Sequence, residues 1–162
     1  MPTLNDHIGE YKKQMDKGSI KLAYRGLLKY LMGLRLYFKG KYPDFFVSGS
    51  LFLGTMDMTY FSFTHPLLKQ KDLKIAIVFL HEQLRFEVWL AAVNKEVQNQ
   101  YRKFFKEKGW DKYPLTDPGK GMDAIFKHTL VNKPDFNDLS ALTGQIEKES
   151  LEFIQGIISF IS

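Results

Sequence analysis

The segment Leu73–Asn94, LKIAIVFLHEQLRFEVWLAAVN, constrains the fold of this chain more than any other. Alternate side chains of a strand point to opposite faces. Leu73, Ile75, Ile77, Phe79 and His81 therefore share one face of a first strand, and Leu84, Phe86, Val88, Leu90 and Ala92 share one face of a second. Folding the chain about Glu82-Gln83 opposes Leu73 with Ala92, Ile75 with Leu90, Ile77 with Val88, Phe79 with Phe86, and His81 with Leu84. The first four pairs are apolar throughout, and a slip of one residue would turn every one of them to the wrong side, so the register is well specified. Glu-Gln is a poor two-residue primed turn, which favours Asn-Gly. A four-residue loop, His81 to Leu84, keeps the same register.

The opposite face of this hairpin is mixed. It carries Lys74, Ala76, Val78, Leu80 and Glu82, then Arg85, Glu87, Trp89 and Ala91. Arg85 and Glu87 are two apart and hence neighbours. One reading is a partly covered face with an ion pair, of a kind that adds little when exposed. The other is a pocket wall in which Arg85 holds an anionic ligand, with Asp57, Tyr60, Arg85, Glu87 and Trp89 as the candidate ligand-binding residues.

Around the hairpin the pattern alternates between helix and strand. Thr3 is placed to cap a helix over Leu4–Lys17 with an apolar stripe of Leu4, Ile8, Tyr11 and Met15. Gly18 closes it, and a second helix is expected over Ile20–Lys39. Ile20, Tyr24, Leu27, Leu28, Leu31, Leu34 and Phe38 form its broad buried stripe, with Gly26, Tyr30, Gly33 and Tyr37 along another edge. A glycine inside a helix costs about 1 kcal/mol relative to alanine. Close approach of a neighbouring element is the expected offset, with a ligand as the alternative. Phe45–Leu53 and Met58–Thr64 read as strands, the first with a bulge at Gly49. Four strands in succession give an antiparallel meander, because no chain is left for parallel crossovers. Asn94 can cap a helix to about Lys106, with Arg102 and Lys103 facing out. Residues Gly109–Gly121 read as loop, Asp123–Val131 as a fifth strand or a short helix, and Asn137–Ile161 as a last helix.

The charge is uneven. Residues 1–41 hold nine Lys/Arg and three Asp/Glu, 9 − 3 = +6, and the rest hold 14 and 15, or −1, so the net +5 belongs to the first two helices. Such a surface can attract nucleic acid, with Lys21, Arg25 and Lys29 as candidate contacts. The alternative is a solvated face set against Glu147, Glu149 and Glu152. The aromatic content of 15% favours a packed globule over disorder. The chain has no cysteine, which excludes disulfides, thiol nucleophiles and thiolate metal sites and fits a reducing cytoplasm. No apolar signal core opens the sequence, no apolar run approaches a membrane span, and no membrane partner is expected.

Encoded chemistry is sparse. His7, His65, His81 and His128 include no pair at helical ligand spacing. A composite site of His65, His81, Asp57 and Glu87 is one arrangement in space, independent loop and edge histidines are the favoured reading, and no metal site is expected. There is no GxSxG element, and Asp117-Pro-Gly-Lys-Gly lacks phosphate-loop spacing and reads as a turn. No cofactor is implied.

A helix, a strand meander and a further helix and strand resemble the core of restriction-endonuclease-like nucleases. In those proteins an Asp and a Glu-x-Lys hold Mg²⁺, since hard oxygen ligands suit that ion. Asp57 and Glu87 match the carboxylates, but Trp89 stands where the lysine belongs, and four strands rather than three precede the helix. The resemblance therefore implies at most a degenerate form. MDMTYFSFT (56–64), LKIAIVFLHE (73–82), RFEVWLAAVN (85–94) and KPDFNDLSAL (133–142) resemble an uncharacterised family of small bacterial and archaeal proteins, a domain of unknown function. That likeness implies a stand-alone cytoplasmic protein and no particular activity.

The expectation is thus one α+β domain over residues 1–162, with helices packed on a mainly antiparallel sheet. Its function is read as non-catalytic binding or interaction, with self-association through helices or a sheet edge. The alternatives are nucleic-acid binding and an anionic-ligand protein or enzyme built around Arg85 and Glu87.

Overall fold

The computed structural model describes residues 1–116 and 124–162. The turn expected at Asp117-Pro-Gly-Lys-Gly lies outside the described residues. The hairpin strands are β3 (Leu73–Leu80) and β4 (Arg85–Ala92). They pair in the expected register, Leu73 with Ala92, Ile75 with Leu90, Ile77 with Val88 and Phe79 with Phe86. His81–Leu84 forms the four-residue loop, closed by Leu84 in the left-handed region at φ 53°. A branched side chain rarely sits there.

The other strands extend the hairpin on both sides. β1 (Phe46–Val47), β2 (Met58–Thr64) and β5 (Ala124–Val131) complete a five-stranded antiparallel sheet in the order β1-β2-β3-β4-β5. The fifth segment is a strand because Phe126 and His128 fall opposite Leu90 and Val88. The first strand is far shorter than Phe45–Leu53. Beyond Val47 the Ser48 N–H still donates to the Ser62 carbonyl, Phe52 bridges Tyr60 further on, and Gly49 lies in a bend rather than a bulge.

The apolar hairpin face is the core face. Ile75, Ile77, Phe79, Phe86, Val88 and Leu90 are sealed beneath the helical layer. That layer comprises α2 (Ser19–Lys41), α4 (Lys95–Glu107) and α5 (Leu139–Ile161), with the short α3 (Pro66–Lys69) between β2 and β3. Phe38 of α2 stacks on Phe63 at 4.5 Å between ring centroids, and Phe105 of α4 meets Phe126 edge-on at 4.6 Å. Asn94 caps α4 by accepting the Val97 N–H, and Asp138 caps α5 by accepting the Ala141 N–H. Arg102 turns inward instead of out, and its guanidinium donates to the Thr116 and Ala124 carbonyls.

The amino-terminal helices depart from the expected burial. α1 (Leu4–Lys17) begins with a capping box: Asp6 N–H donates to Thr3 Oγ1 and Thr3 N–H to the Asp6 carboxylate. Gly18 ends it at φ 84° and leads directly into α2. The α1 stripe is largely uncovered among the described residues: Leu4, Ile8 and Tyr11 are 74%, 53% and 60% exposed, Met15 is half-buried, and no residue of the helix is fully buried. In α2 the stripe is buried only at Leu31, Leu34 and Phe38, while Ile20 and Tyr24 are exposed. The amino-terminal half of α2 therefore runs past the edge of the sheet. A Cβ at Gly26 or Gly33 would meet nothing within 4 Å, so the expected close neighbour is not found among the described residues.

Two outcomes follow for stability. Ile77→Ala should lower unfolding free energy in urea by about 2–5 kcal/mol, against less than about 0.5 for Lys74→Ala on the exposed side. Gly26→Ala and Gly33→Ala should each stabilise the isolated chain by about 1 kcal/mol, since the added methyl gains helix propensity and meets no obstruction.

Candidate functional site

The sheet face away from the helices carries the residues singled out around Trp89. Strand alternation places Arg85, Glu87 and Trp89 in a row along β4. Glu87 is 4% exposed, and among the described residues its carboxylate takes donors from this row. Arg85 Nε and Nη2 both donate to one oxygen at 2.7 Å, and Trp89 Nε1 donates to the other at 2.8 Å. The Lys127 ammonium from β5 lies 4.3 Å from the centre of the Trp89 ring. Burial lowers the Lys127 pKa, Glu87 opposes that shift and Arg85 adds to it. The arrangement is a satisfied charge row, and the edge of Arg85 that would grip an anion is turned to Glu87.

The five candidate ligand residues divide three ways. Tyr60 and Trp89 line a hollow of about 590 Å³ with Phe52, Met58, Ser62 and Ala76. Arg85 and Glu87 bind one another outside its lining. Asp57 sits at the end of the sheet, where its carboxylate accepts the Thr55 N–H at 2.9 Å and its carbonyl accepts the His81 N–H. The Thr55, Met58 and Asp57 backbone N–H groups hold its carboxyl below the usual range. His81 Nε2 is 2.8 Å from Thr59 Oγ1, and His65 Nδ1 accepts the Leu67 N–H as the cap of α3. The residues His65, His81, Asp57 and Glu87 thus serve separate local roles, and no group of three carboxylate or histidine side chains converges among the described residues.

The second surface belongs to α1 and α2. Lys21, Arg25 and Lys29 recur every four residues along an exposed strip of α2, a helix without a single carboxylate. Of the three acidic residues expected to face the basic helices, Glu147 alone does so. It binds Lys41 at 2.8 Å, accepts from Tyr37 Oη at 2.9 Å and from Tyr42 Oη, and so engages only the carboxy-terminal end of α2. Glu149 meets His128 instead, at 3.4 Å. Burial alone would raise the Glu147 pKa, but the hydrogen bonds from Lys41, Tyr42 and Tyr37 outweigh it and hold the carboxyl low. Burial, with Glu147 beside it, pushes the Tyr42 phenol up to about 12.

Beside the basic strip, α2 forms one wall of an apolar groove of about 870 Å³. Gly26 and Gly33 make its floor, Tyr30 and Tyr37 project along it, and Leu84, Phe136 and Leu139 close the far side. Tyr30 Oη is bonded to Thr143 Oγ1 at 2.9 Å, and its ring packs edge-on against Phe86 and Phe136. Sequence reasoning found the glycine and tyrosine edge of α2 but missed Leu84, Phe136, Leu139 and Thr143. Their membership depends on the tertiary meeting of distant segments.

The fold and these surfaces define an α+β protein with helices layered on one face of a five-stranded meander. Over residues 4–161 the chain matches, and belongs to, the family described as Domain of unknown function (DUF7000). No curated protein and no solved structure matches it. No helix among the described residues is long and apolar enough to cross a membrane.

Glu87→Leu should cost about 1–3 kcal/mol in chemical denaturation, because the buried Trp89 indole N–H loses its acceptor. Acid titration supplies a second check. The folded-state pKa of Glu147 is depressed, so its contribution is present above the unfolded value, about 4.3, and is lost as pH falls through the folded value. Glu147→Gln should flatten that limb of a melting-temperature profile while lowering stability at neutral pH.

Proposed function

We propose that this protein is a non-catalytic interaction protein of the prokaryotic cytoplasm that self-associates through its amino-terminal helices. One observation carries the reading: α1 presents an apolar stripe of which no residue is buried. Isolated helices of this length are marginal in water, and most helical stability comes from packing an amphipathic face. The capping box and the Lys12–Asp16 pair at 3.0 Å are the local support, and an exposed i,i+4 pair contributes only a few tenths of a kcal/mol. A surface that covers the stripe accounts for the rest. The lack of cysteine supports the reducing setting. Sedimentation velocity across the micromolar to millimolar range should show a dimer or larger species, and Ile8→Asp should shift it toward monomer. A chain that is monomeric throughout would remove the proposal.

A second reading rests on the exposed Lys21, Arg25 and Lys29 strip of a helix that carries no carboxylate. Binding of this kind weakens steeply as salt rises, because each neutralised phosphate releases counterions. Fluorescence anisotropy with a mixed-sequence duplex should then give a log–log salt slope that falls by about one unit for each of Lys21→Gln, Arg25→Gln and Lys29→Gln. No binding at low salt would end this reading and leave self-association standing.

A further inference from the structure

We infer that the α1 helix of a second copy of this chain seats in the glycine-floored groove of α2, and that two such seats, exchanged reciprocally, form a closed twofold dimer. The inference rests on the self-association proposed above and names its geometry.

Three residues that are unfavourable for the lone chain converge on this groove. Gly26 and Gly33 interrupt α2 although a Cβ at either would meet nothing within 4 Å. Leu84 holds a left-handed backbone at φ 53° and leaves its side chain 58% exposed at the rim. Strain and lost propensity of this kind persist where a contact uses them. The two glycines are seven residues apart, so they lie on one side of the helix two turns from each other. A flat strip there lets the backbone of another helix come close.

The occupant is identified by fit. No α1 residue lines the groove of its own chain, and α1 has the same need for cover. Its stripe from Leu4 to Met15 spans about 17 Å, and the groove from Leu22 to Tyr37 about 22 Å, at about 1.5 Å per residue. Charge separates this seat from a direct packing of α2 on α2. Helix α1 holds Asp6, Glu10 and Asp16 against Lys12, Lys13 and Lys17, 3 − 3 = 0, whereas α2 holds six cations and no acid, +6. Two α2 helices face to face would set Lys21, Arg25 and Lys29 against the same basic strip of the other copy, while α1 carries no net charge to the groove wall at Lys29. Exchange also doubles the contact made by one short helix, toward the roughly 1,200–2,000 Å² that stable interfaces bury. A reciprocal pair of seats is the closed arrangement that twofold symmetry provides.

The absence of native cysteine allows a direct test by disulfide capture. Ile8→Cys and Gly33→Cys are made in separate, differently tagged chains, incubated together and oxidised. A covalent heterodimer that exceeds either homodimer is expected, and Lys13→Cys on the opposite side of α1 should not pair with Gly33→Cys. Capture confined to a single chain carrying both substitutions would overturn the inference in favour of an arm folded onto its own groove. Dominant Gly33→Cys homodimers would overturn it in favour of α2 on α2. Gly33→Leu provides an independent readout: the dimer dissociation constant should rise at least tenfold while the melting temperature at dilute, monomeric concentration does not fall. A dimer that persists with neither the Ile8–Gly33 capture nor this weakening sinks the seat but leaves self-association intact. A monomer at every concentration sinks both.

Discussion

The pairing of β3 with β4 is the contact from which the rest of the fold is built. Leu73, Ile75, Ile77 and Phe79 face Ala92, Leu90, Val88 and Phe86, and this one apolar surface receives α2, α4 and α5. Each remaining strand joins a hairpin that already has a dry side. β2 brings Phe61 and Phe63 to it, and β5 brings Phe126 and Leu130. A change of register in the central pair would strand all of these contacts at once.

The other side of the same sheet shows how a charge row holds itself in place. Glu87 is nearly inaccessible, yet its two oxygens are bonded by the residues two before and two after it. Removing one partner from such a row is costly, while the intact row adds little net stability. Arg85, Glu87 and Trp89 therefore read as parts that order one face, and the neighbouring hollow takes its lining from Tyr60, Trp89 and the Phe52 segment.

What was legible in the sequence is what depends on near neighbours. Strand alternation set the hairpin register, and Thr3, Gly18 and Asn94 marked the helix ends, because capping and pleating act over a few residues. The Phe45–Leu53 segment reads as a full strand by composition, but its regular pairing is interrupted at Gly49 and returns only as a bridge at Phe52, which the tertiary path determines. The same limit hid the groove. An amphipathic pattern reports that a helix has an apolar side, not whether the same chain covers it, and for α1 it does not. The exposed glycines of α2 were visible, and their missing neighbour was not.

The groove also has a place in the order of folding. Strands β2, β3 and β4 pair with their sequence neighbours across short connections and can form early, whereas β5 joins β4 across α4. The groove is different, because Tyr30 reaches Thr143 across 113 positions of sequence, and Phe136 and Leu139 arrive with that segment. Closing so long a loop comes after the local contacts that stabilise it. The groove is therefore complete only once α5 has docked, and a chain with a formed sheet but an undocked α5 offers no finished surface there. Docking of the carboxy-terminal helix is thus the step that completes this surface.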